Sequence, residues 1–491
     1  MEEKKASCIG EDADASVLER GEEFDGTEAQ IITTLPPGDP DLPFNYPLSK
    51  RIVYTLILVP LYWISSMSSS ILTPGVPYLE QKYNVSPEVA ELSMALVLVG
   101  YAIGPMIWSP VAEAWGRRWQ WTPPTIVFVI FQIPVGLEPN FQTVLVGRFL
   151  QGLFGSASII GLGSSMADIW PPHIRGIIFG INAFAIYAAP CFGPLLGSFF
   201  MRWVNFGWLS WIILILGGVY TILLHFIVPE TYLPIIVKKR AQKLRAEGQN
   251  VKAAIEVTPL TFRIVVVKYL YRPFQMCFED KALWFLCLYT AISYGLVYGF
   301  FVAMPIAFGE IRDFDSVLRY VPNVAVMIGV GFSAALLILT NKRFQRIVQE
   351  AGKVVPEARL DNLCIAAVIY PIGLFIFGWT GAYSQVHWIG PCIGGAITGF
   401  CAATIFMVSM LYIVDSFHQY SASGIAANGI LRALVAVLIV MVMRIMIDKM
   451  TFQGTMSFFG GIAILIAPGP FILRSRGERW RKRSKWANPE L

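Results

Sequence analysis

Two charged clusters set in apolar surroundings are the residues best placed to do chemistry. In the run LVGRFLQGLFGSASIIGLG, Arg148 interrupts an apolar stretch, with Gln151, Gly152 and Gly155 after it. Residues three apart share a helix face, so Arg148 and Gln151 form one polar patch, and the glycines let a neighbour come close. A cation inside a membrane span costs several kcal/mol unless it faces a cavity or partner, or lies near the end and snorkels to the headgroups. The second cluster is GPMIWSPVAEAWGRRW, from Gly104 to Trp119. Gly116 permits a sharp turn. Glu113 lies one helical turn before Arg117, where carboxylate and guanidinium can pair as a latch that breaks in another conformation. Arg117 and Arg118 as plain headgroup anchors is the competing reading.

These groups do not make an enzyme. There is no GxxxxGK[ST], HExxH, GxSxG or CxxC. Four histidines and seven cysteines, at 8, 191, 277, 287, 364, 392 and 401, give neither a zinc site nor a disulfide framework. No cofactor and no metal are expected, and ATP is not the direct energy source.

The elements that hold the clusters follow from composition. The 491 residues are 55% hydrophobic and only 14% charged, against about 25% charged in ordinary soluble chains. Apolar runs of span length recur at 52–77, 89–111, 123–136, 141–164, 176–201 and 208–228, then at 283–308, 320–340, 362–380, 388–414, 421–447 and 454–473. Such runs are helices, because an open sheet cannot leave unpaired edges in lipid. The expected fold class is an all-α membrane protein of about twelve transmembrane helices in two six-helix bundles. The bundles occupy 50–228 and 282–474, with an acidic, disordered tail over 1–49, a central loop over 229–281 and a basic tail over 475–491. The tail carries Glu2, Glu3, Glu11, Asp12, Asp14, Glu22 and Glu23, and has no apolar core of a cleavable signal. The loop run IIVKKRAQKLRAEG reads as a helix on the inner headgroups or a solvated linker.

Orientation follows from Lys and Arg. Lys50–Arg51, Arg117–Arg118, Arg175, Lys238–Arg240, Lys342–Arg346 and Arg474–Lys485 fall in one set of breaks; the alternate set carries only Lys82, Arg202, Arg312 and Lys449, besides Arg319 at a span edge. The basic set is expected to be cytosolic, with both termini. A faded repeat links the halves: Gly329 and Lys342-Arg343 follow Gly104 and Arg117-Arg118 by the same 225 residues (329−104, 342−117). The net charge of +5 reads as this asymmetry and not as a nucleic-acid surface.

The fifth span, AIYAAPCFGPLLGSFF, carries Pro190, Gly193, Pro194 and Gly197, which thin the helix and interrupt its ladder. A bendable helix suits the seam between rocking bundles; static packing is the alternative.

The motifs together resemble the major facilitator superfamily. Gly104-Pro105…Pro110…Glu113…Gly116-Arg117-Arg118 is similar to its signature between spans two and three, in the form seen in fungal drug:proton antiporters. Arg148-x-x-Gln151-Gly152 resembles the fourth-span motif, whose arginine is implicated in proton transfer, and Pro190-x-x-Gly193-Pro194-x-x-Gly197 the antiporter motif. Pro229-Glu230-Thr231-Tyr232, Tyr294-Gly295-x-x-Tyr298 and Ser421-x-Ser423…Asn428 resemble the fungal multidrug and polyamine branch. The likeness runs from about Lys50 to Ala487. Ala189, Ser198 and an eleventh span reading LRALVAVLIVMVMRIMIDKM depart from the branch. The departures leave the substrate and the coupling open. The resemblance implies proton coupling and gating through Arg148, Gln151, Glu113, Gly116, Arg117, Arg118 and Asp168.

Substrate sites in this architecture lie at mid-membrane between the halves. Asn182 and Tyr187 in the fifth span, Tyr294 and Tyr298 one turn apart in the seventh, and Asn428 and Arg432 one turn apart in the eleventh are the polar candidates, with interhelix packing as the rival reading for the tyrosines. Arg444 with Asp448 is an i,i+4 pair of structural character. No acid stands at the centre of a span. The proton carrier is Asp168, Asp415 or the substrate itself, and the shortage of acids favours a neutral or anionic compound over a polyamine. The expected function is secondary transport: export of a small amphipathic organic compound by proton antiport, from the plasma membrane, by a monomer whose partners are substrate, protons and lipid. Uptake or organellar transport of a metabolite, polyamine export and a non-transporting sensor are the alternatives. Asn84-Val85-Ser86 is a glycosylation sequon on the outer side.

Overall fold

A computed structural model describes residues 18–19, 30–36, 38–257, 266–352, 355–417 and 420–487, with the backbone alone at 18–19, 172–177, 179 and 183. Glu2, Glu3, Glu11, Asp12, Asp14, Glu22, Glu23, Cys8, the last four residues and the Arg175 side chain lie outside the described residues.

The first half opens with α1 (Leu48–Ser68) and, after a short 3-10 turn, α2 (Val76–Tyr83). There follow α3 (Pro87–Trp115), α4 (Arg117–Ile130), α5 (Gln132–Leu137), α6 (Phe141–Ile169), α7 (Pro172–Trp203) and α8 (Trp208–Ile227). After α9 (Leu233–Ala246) and α10 (Arg272–Glu279), the second half comprises α11 (Lys281–Pro305, extended by a π turn over Ile306–Glu310), α12 (Asn323–Ala351), α13 (Leu360–Gly381), α14 (Ile389–Phe417), α15 (Ser421–Met450), α16 (Phe452–Ile466) and α17 (Pro468–Arg483). Eleven helical stretches among the described residues are long and apolar enough to cross a membrane.

The expected third span is the twelfth crossing, broken in two at Phe131. Its start, Arg117, meets Glu230 and Asp168, whereas Glu138, just past its end, meets Tyr78 and Lys82 at the far end of α2. Local chemistry sets several boundaries. Ser86, Asn140 and Asp280 cap α3, α6 and α11 by accepting from the backbone N–H three residues on. Gly116, at φ +97°, makes the one-residue turn from α3 into α4.

Packing ranks the helices by depth. In α11, 83% of the apolar window is buried, against 28% in α8 and in α12. Phe226, Leu339 and Leu465 point outward fully exposed, which costs nothing when the solvent is lipid. The repeat has a packing counterpart: Gly104 of α3 lies against Ser156 of α6, and Gly329 of α12 against the Ala396 carbonyl of α14. The symmetry is partial, because α3 stops at Gly116 while α12 runs through Lys342–Arg343 to Ala351.

The tail and the central loop depart from expectation. β1 (Leu18–Glu19) pairs antiparallel with β2 (Gln30–Ile32), which pairs parallel with β3 (Val251–Ala253). Ile32, Leu35 and Leu42 bury against Val237 and Ala241 of α9. The described part of the 1–49 segment is therefore ordered, and the apolar face of α9 is covered by the tail and not offered to headgroups.

Candidate functional site

Glu113 and Arg117 do not pair with each other, contrary to the expectation from their spacing. The turn at Gly116 carries Arg117 into the next helix and away from Glu113. The Arg117 guanidinium Nε stands 2.9 Å from Asp168 Oδ2 at the end of α6 and lies over the Tyr232 ring, 4.8 Å from its centroid. Burial pushes the Tyr232 hydroxyl up to about 12, so it stays a phenol beside these charges. Glu113 pairs instead with Lys268, in the segment that leads to the second half. Glu230 supplies what binds the start of α4: its carboxylate accepts from the backbone N–H groups of Arg117 (2.8 Å), Arg118 (3.1 Å), Thr231 (3.0 Å) and Tyr232 (2.9 Å). A carboxylate on free N–H groups at a helix start is favoured by hydrogen bonding and by the helix dipole. Arg118 donates to the His225 carbonyl, 3.1 Å away.

Arg148 is wholly buried, which removes the snorkelling reading. Its Nε donates to the Ser93 carbonyl at 2.8 Å, Nη1 to the Ser68 carbonyl at 2.7 Å and to Gln151 Oε1 at 3.0 Å, and Nη2 to the Ser69 carbonyl at 2.9 Å. Ser68 ends α1 and Ser69 caps it, so the guanidinium occupies carbonyls that have no helical donor left. Gln151 in turn donates to the Phe131 carbonyl and to Gln132 Oε1, both at 3.0 Å. The pair thus ties together two helix breaks, the end of α1 and the joint between α4 and α5. Gly152 meets the Val97 backbone and Gly155 the Phe128 ring, as the close approach of α3 and α4 requires.

The fifth-span motif packs inward. α7 is continuous through Pro190 and Pro194. Gly193 and Gly197 lie against Ser70 and Ile71 at the end of α1, and the Pro190 carbonyl accepts from Ser70 Oγ at 2.6 Å. These residues sit within the first half and not on the seam expected for them. The seam contacts of α7 come a few turns earlier, where Gly180 faces Ile338 and Phe184 faces Gly331 of α12.

At mid-membrane the halves meet through aromatic side chains. Ser69 Oγ and Tyr298 OH are 2.8 Å apart across the seam, and Tyr294 OH donates to Tyr298 OH at 3.2 Å. Tyr187 of α7 stands edge-on to Tyr294, with centroids 5.7 Å apart, and 5.4 Å from Phe406 of α14. Arg432 lies over both Tyr294 (4.4 Å) and Phe406 (4.6 Å). The Tyr187 hydroxyl, both amide atoms of Asn428 and Nε and Nη1 of Arg432 are buried without a hydrogen-bond partner. Four of the six candidates converge here; Asn428, one turn along from Arg432, lies next to Cys287 of α11, within the second half. Asn182 does not join them, because its amide faces Gly163 of α6.

The profile of the Major Facilitator Superfamily matches residues 58–439. The chain belongs to the Major Facilitator Superfamily. Its relatives include the citrinin biosynthesis cluster MFS transporter mrr1 of Monascus ruber, 31% identical over 99% of both chains. The ascochitine biosynthesis cluster MFS transporter of Didymella fabae is 34% identical over 94% of this chain and 90% of its own. The multidrug transporter FLU1 of Candida albicans is 31% identical over 92% of this chain and 75% of its own. The solved proton:xylose symporter XylE shares the fold, with a TM-score of 0.62 at 16% identity over 88% of this chain and 96% of that one. The protein is therefore a multi-pass MFS transporter of the fungal secondary-metabolite and multidrug type, and not an enzyme.

Three features of this MFS site go beyond the sequence reading. Glu230 appears there only as part of a family match, although an acid two residues after an apolar run is a capping signal once its helix is known. The Arg359–Asp415 pair at 2.6 Å joins the start of α13 to the end of α14. Glu91, five residues into α3, is buried with one carboxylate oxygen unpartnered. Its charged neighbours are Arg444 and Asp448 of α15, with Glu88 and Glu80 of its own half. Arg444 keeps the i,i+4 pair with Asp448 (3.7 Å) and pairs more closely with Glu310 (2.7 Å).

Proposed function

We propose that this transporter exports a small amphipathic organic compound by proton antiport, alternating access about the aromatic cluster between its halves. The observation that carries the reading is the convergence of Tyr187, Tyr294, Tyr298 and Arg432 on the seam, with buried polar atoms of Tyr187 and Arg432 left unpartnered. Buried polar groups in native proteins are nearly always satisfied, so these mark where a ligand or water completes the network. The cluster is built from one chain, which supports a monomeric working unit.

In this reading the basic face is cytosolic, and the plasma membrane is the working location. Arg117–Asp168, Glu113–Lys268 and the Glu230 cap hold that face closed. Arg148 and Gln151 keep the broken helices in register so that the first half moves as one body. The named relatives, transporters of biosynthesis clusters and a multidrug transporter, favour a metabolite or drug as the substrate.

The test is transport by purified protein in sealed vesicles, with an imposed pH gradient and a panel of labelled amphiphiles. Gradient-driven movement supports proton antiport. Movement indifferent to the gradient would make the protein a facilitator, and no movement of any compound by folded protein would overturn the export reading.

A further inference from the structure

The arginine of the seam, Arg432, is partly buried and is built unlike the wholly buried Arg148 of the first half. Arg148 spends its donors on carbonyls and an amide, whereas Arg432 has aromatic rings on its faces and two N–H nitrogens with no acceptor. Nor does Arg432 have a counter-ion among the described residues. Its contacts come from α11 and α14, with Tyr187 of α7 and Tyr62 of α1 as further neighbours. Neither α1, α7 nor α11 contains an Asp or Glu anywhere along its length. The one acid in α14, Asp415, is more than two turns along from Phe406 and is taken by Arg359. The one acid in α15, Asp448, lies more than four turns from Arg432. From α3, Glu91 faces Arg444 and Glu113 faces Lys268. An arginine is not deprotonated under ordinary conditions. Its charge within a span therefore calls for an anion, and ring faces offset only part of that demand.

We propose that Arg432 is the anion-binding centre of the substrate site, and that the substrate is an aromatic organic anion, an arene carboxylate or phenolate. The assignment rests on the reading of the seam as a transport site. The carboxylate or phenolate accepts from Nε and Nη1 of Arg432. The Tyr187 hydroxyl, a neighbour of that guanidinium, donates a further hydrogen bond. The arene body packs among Tyr62, Tyr187, Tyr294 and Phe406, whose rings prefer offset or edge-on partners. A cationic substrate meets like charge at Arg432 and finds no carboxylate to hold it, which disfavours polyamines.

The experiment is calorimetric titration of the purified full-length protein with three isosteric probes: 2-naphthoate, neutral 2-naphthamide and cationic 2-naphthylmethylammonium. Native protein is expected to bind the naphthoate about tenfold or more tighter than the amide, and the ammonium weakest. Arg432→Gln should equalise naphthoate and naphthamide, and Arg432→Lys should keep part of the preference. A native order led by the amide or the ammonium, no binding of any probe by folded native protein, or an unchanged preference in folded Arg432→Gln would overturn the proposal. The native order decides even if a variant fails to fold. Arg432-dependent anion binding without vesicle transport would sink the transport reading and leave the site. Gradient-driven movement of neutral or cationic compounds with no anion preference would do the reverse.

Discussion

Arg359 Nε stands 2.6 Å from Asp415 Oδ2 in the second half, in the position that Arg117 and Asp168 hold, at 2.9 Å, in the first. In each half an arginine at the start of the third helix meets an aspartate at the end of the fourth. The side chains are only partly exposed, 14% and 22% in one pair, 17% and 16% in the other.

Each pair should behave as an independent latch. A double-mutant cycle on Arg117→Ala and Asp168→Ala, and another on Arg359→Ala and Asp415→Ala, should each give a coupling of about 1 kcal/mol in thermal unfolding. Coupling between Arg117 and Asp415, by contrast, should be absent. A coupling near zero within both pairs would remove the latch.

Arg148→Ala should destabilise severely, by about 3 kcal/mol or more, because it strands buried carbonyls at Ser68, Ser69 and Ser93. Arg148→Lys should recover part of the unfolding temperature. If Arg148→Lys unfolds like native protein yet transports without regard to the pH gradient, the residue serves the proton and not the helix breaks.

The capping carboxylate gives a smaller effect. Glu230→Gln keeps the acceptor and loses the charge, so it should cost less than Glu230→Ala, which removes a cap worth about 0.5–2 kcal/mol. Gly116→Ala should be worse than its size implies, since its φ is +97° and a Cβ would meet the Glu230 carboxylate at 2.3 Å. Differential scanning fluorimetry ranks the three.

Glu91 is the buried acid on the seam that a proton could use. Glu91→Gln should weaken the response of vesicle transport to an imposed pH gradient while leaving exchange at equal pH intact. The groups facing it, Arg444 and Asp448 from α15 and Glu88 and Glu80 from its own half, are kept in that variant. An unchanged gradient response would return the proton-carrying role to Asp168, Asp415 or the substrate.

Much of this was legible in the sequence, because lipid imposes a simple rule on run length and charge. The positions of Arg148, Gln151 and the seam tyrosines followed from polar residues in apolar runs. Partner choice did not follow. Spacing offers Glu113 as the neighbour of Arg117, yet the turn at Gly116 gives that arginine to Asp168, 51 residues away. Pro190 to Gly197 read as a hinge because proline and glycine break isolated helices, but here they fit against the end of α1. Glu91 escaped because a residue five positions into a span reads as interfacial until α15 is known to cover it. The sheet of the tail was hidden for a related reason: its partner strand lies beyond the whole first half.

That sheet has a consequence for the order of events during synthesis. β2 hydrogen-bonds to β3, and β3 is translated only after the first nine helices. The free edge of β2 must therefore wait until Val251–Ala253 leaves the ribosome, and its docking records that the first half has been completed before the second is begun.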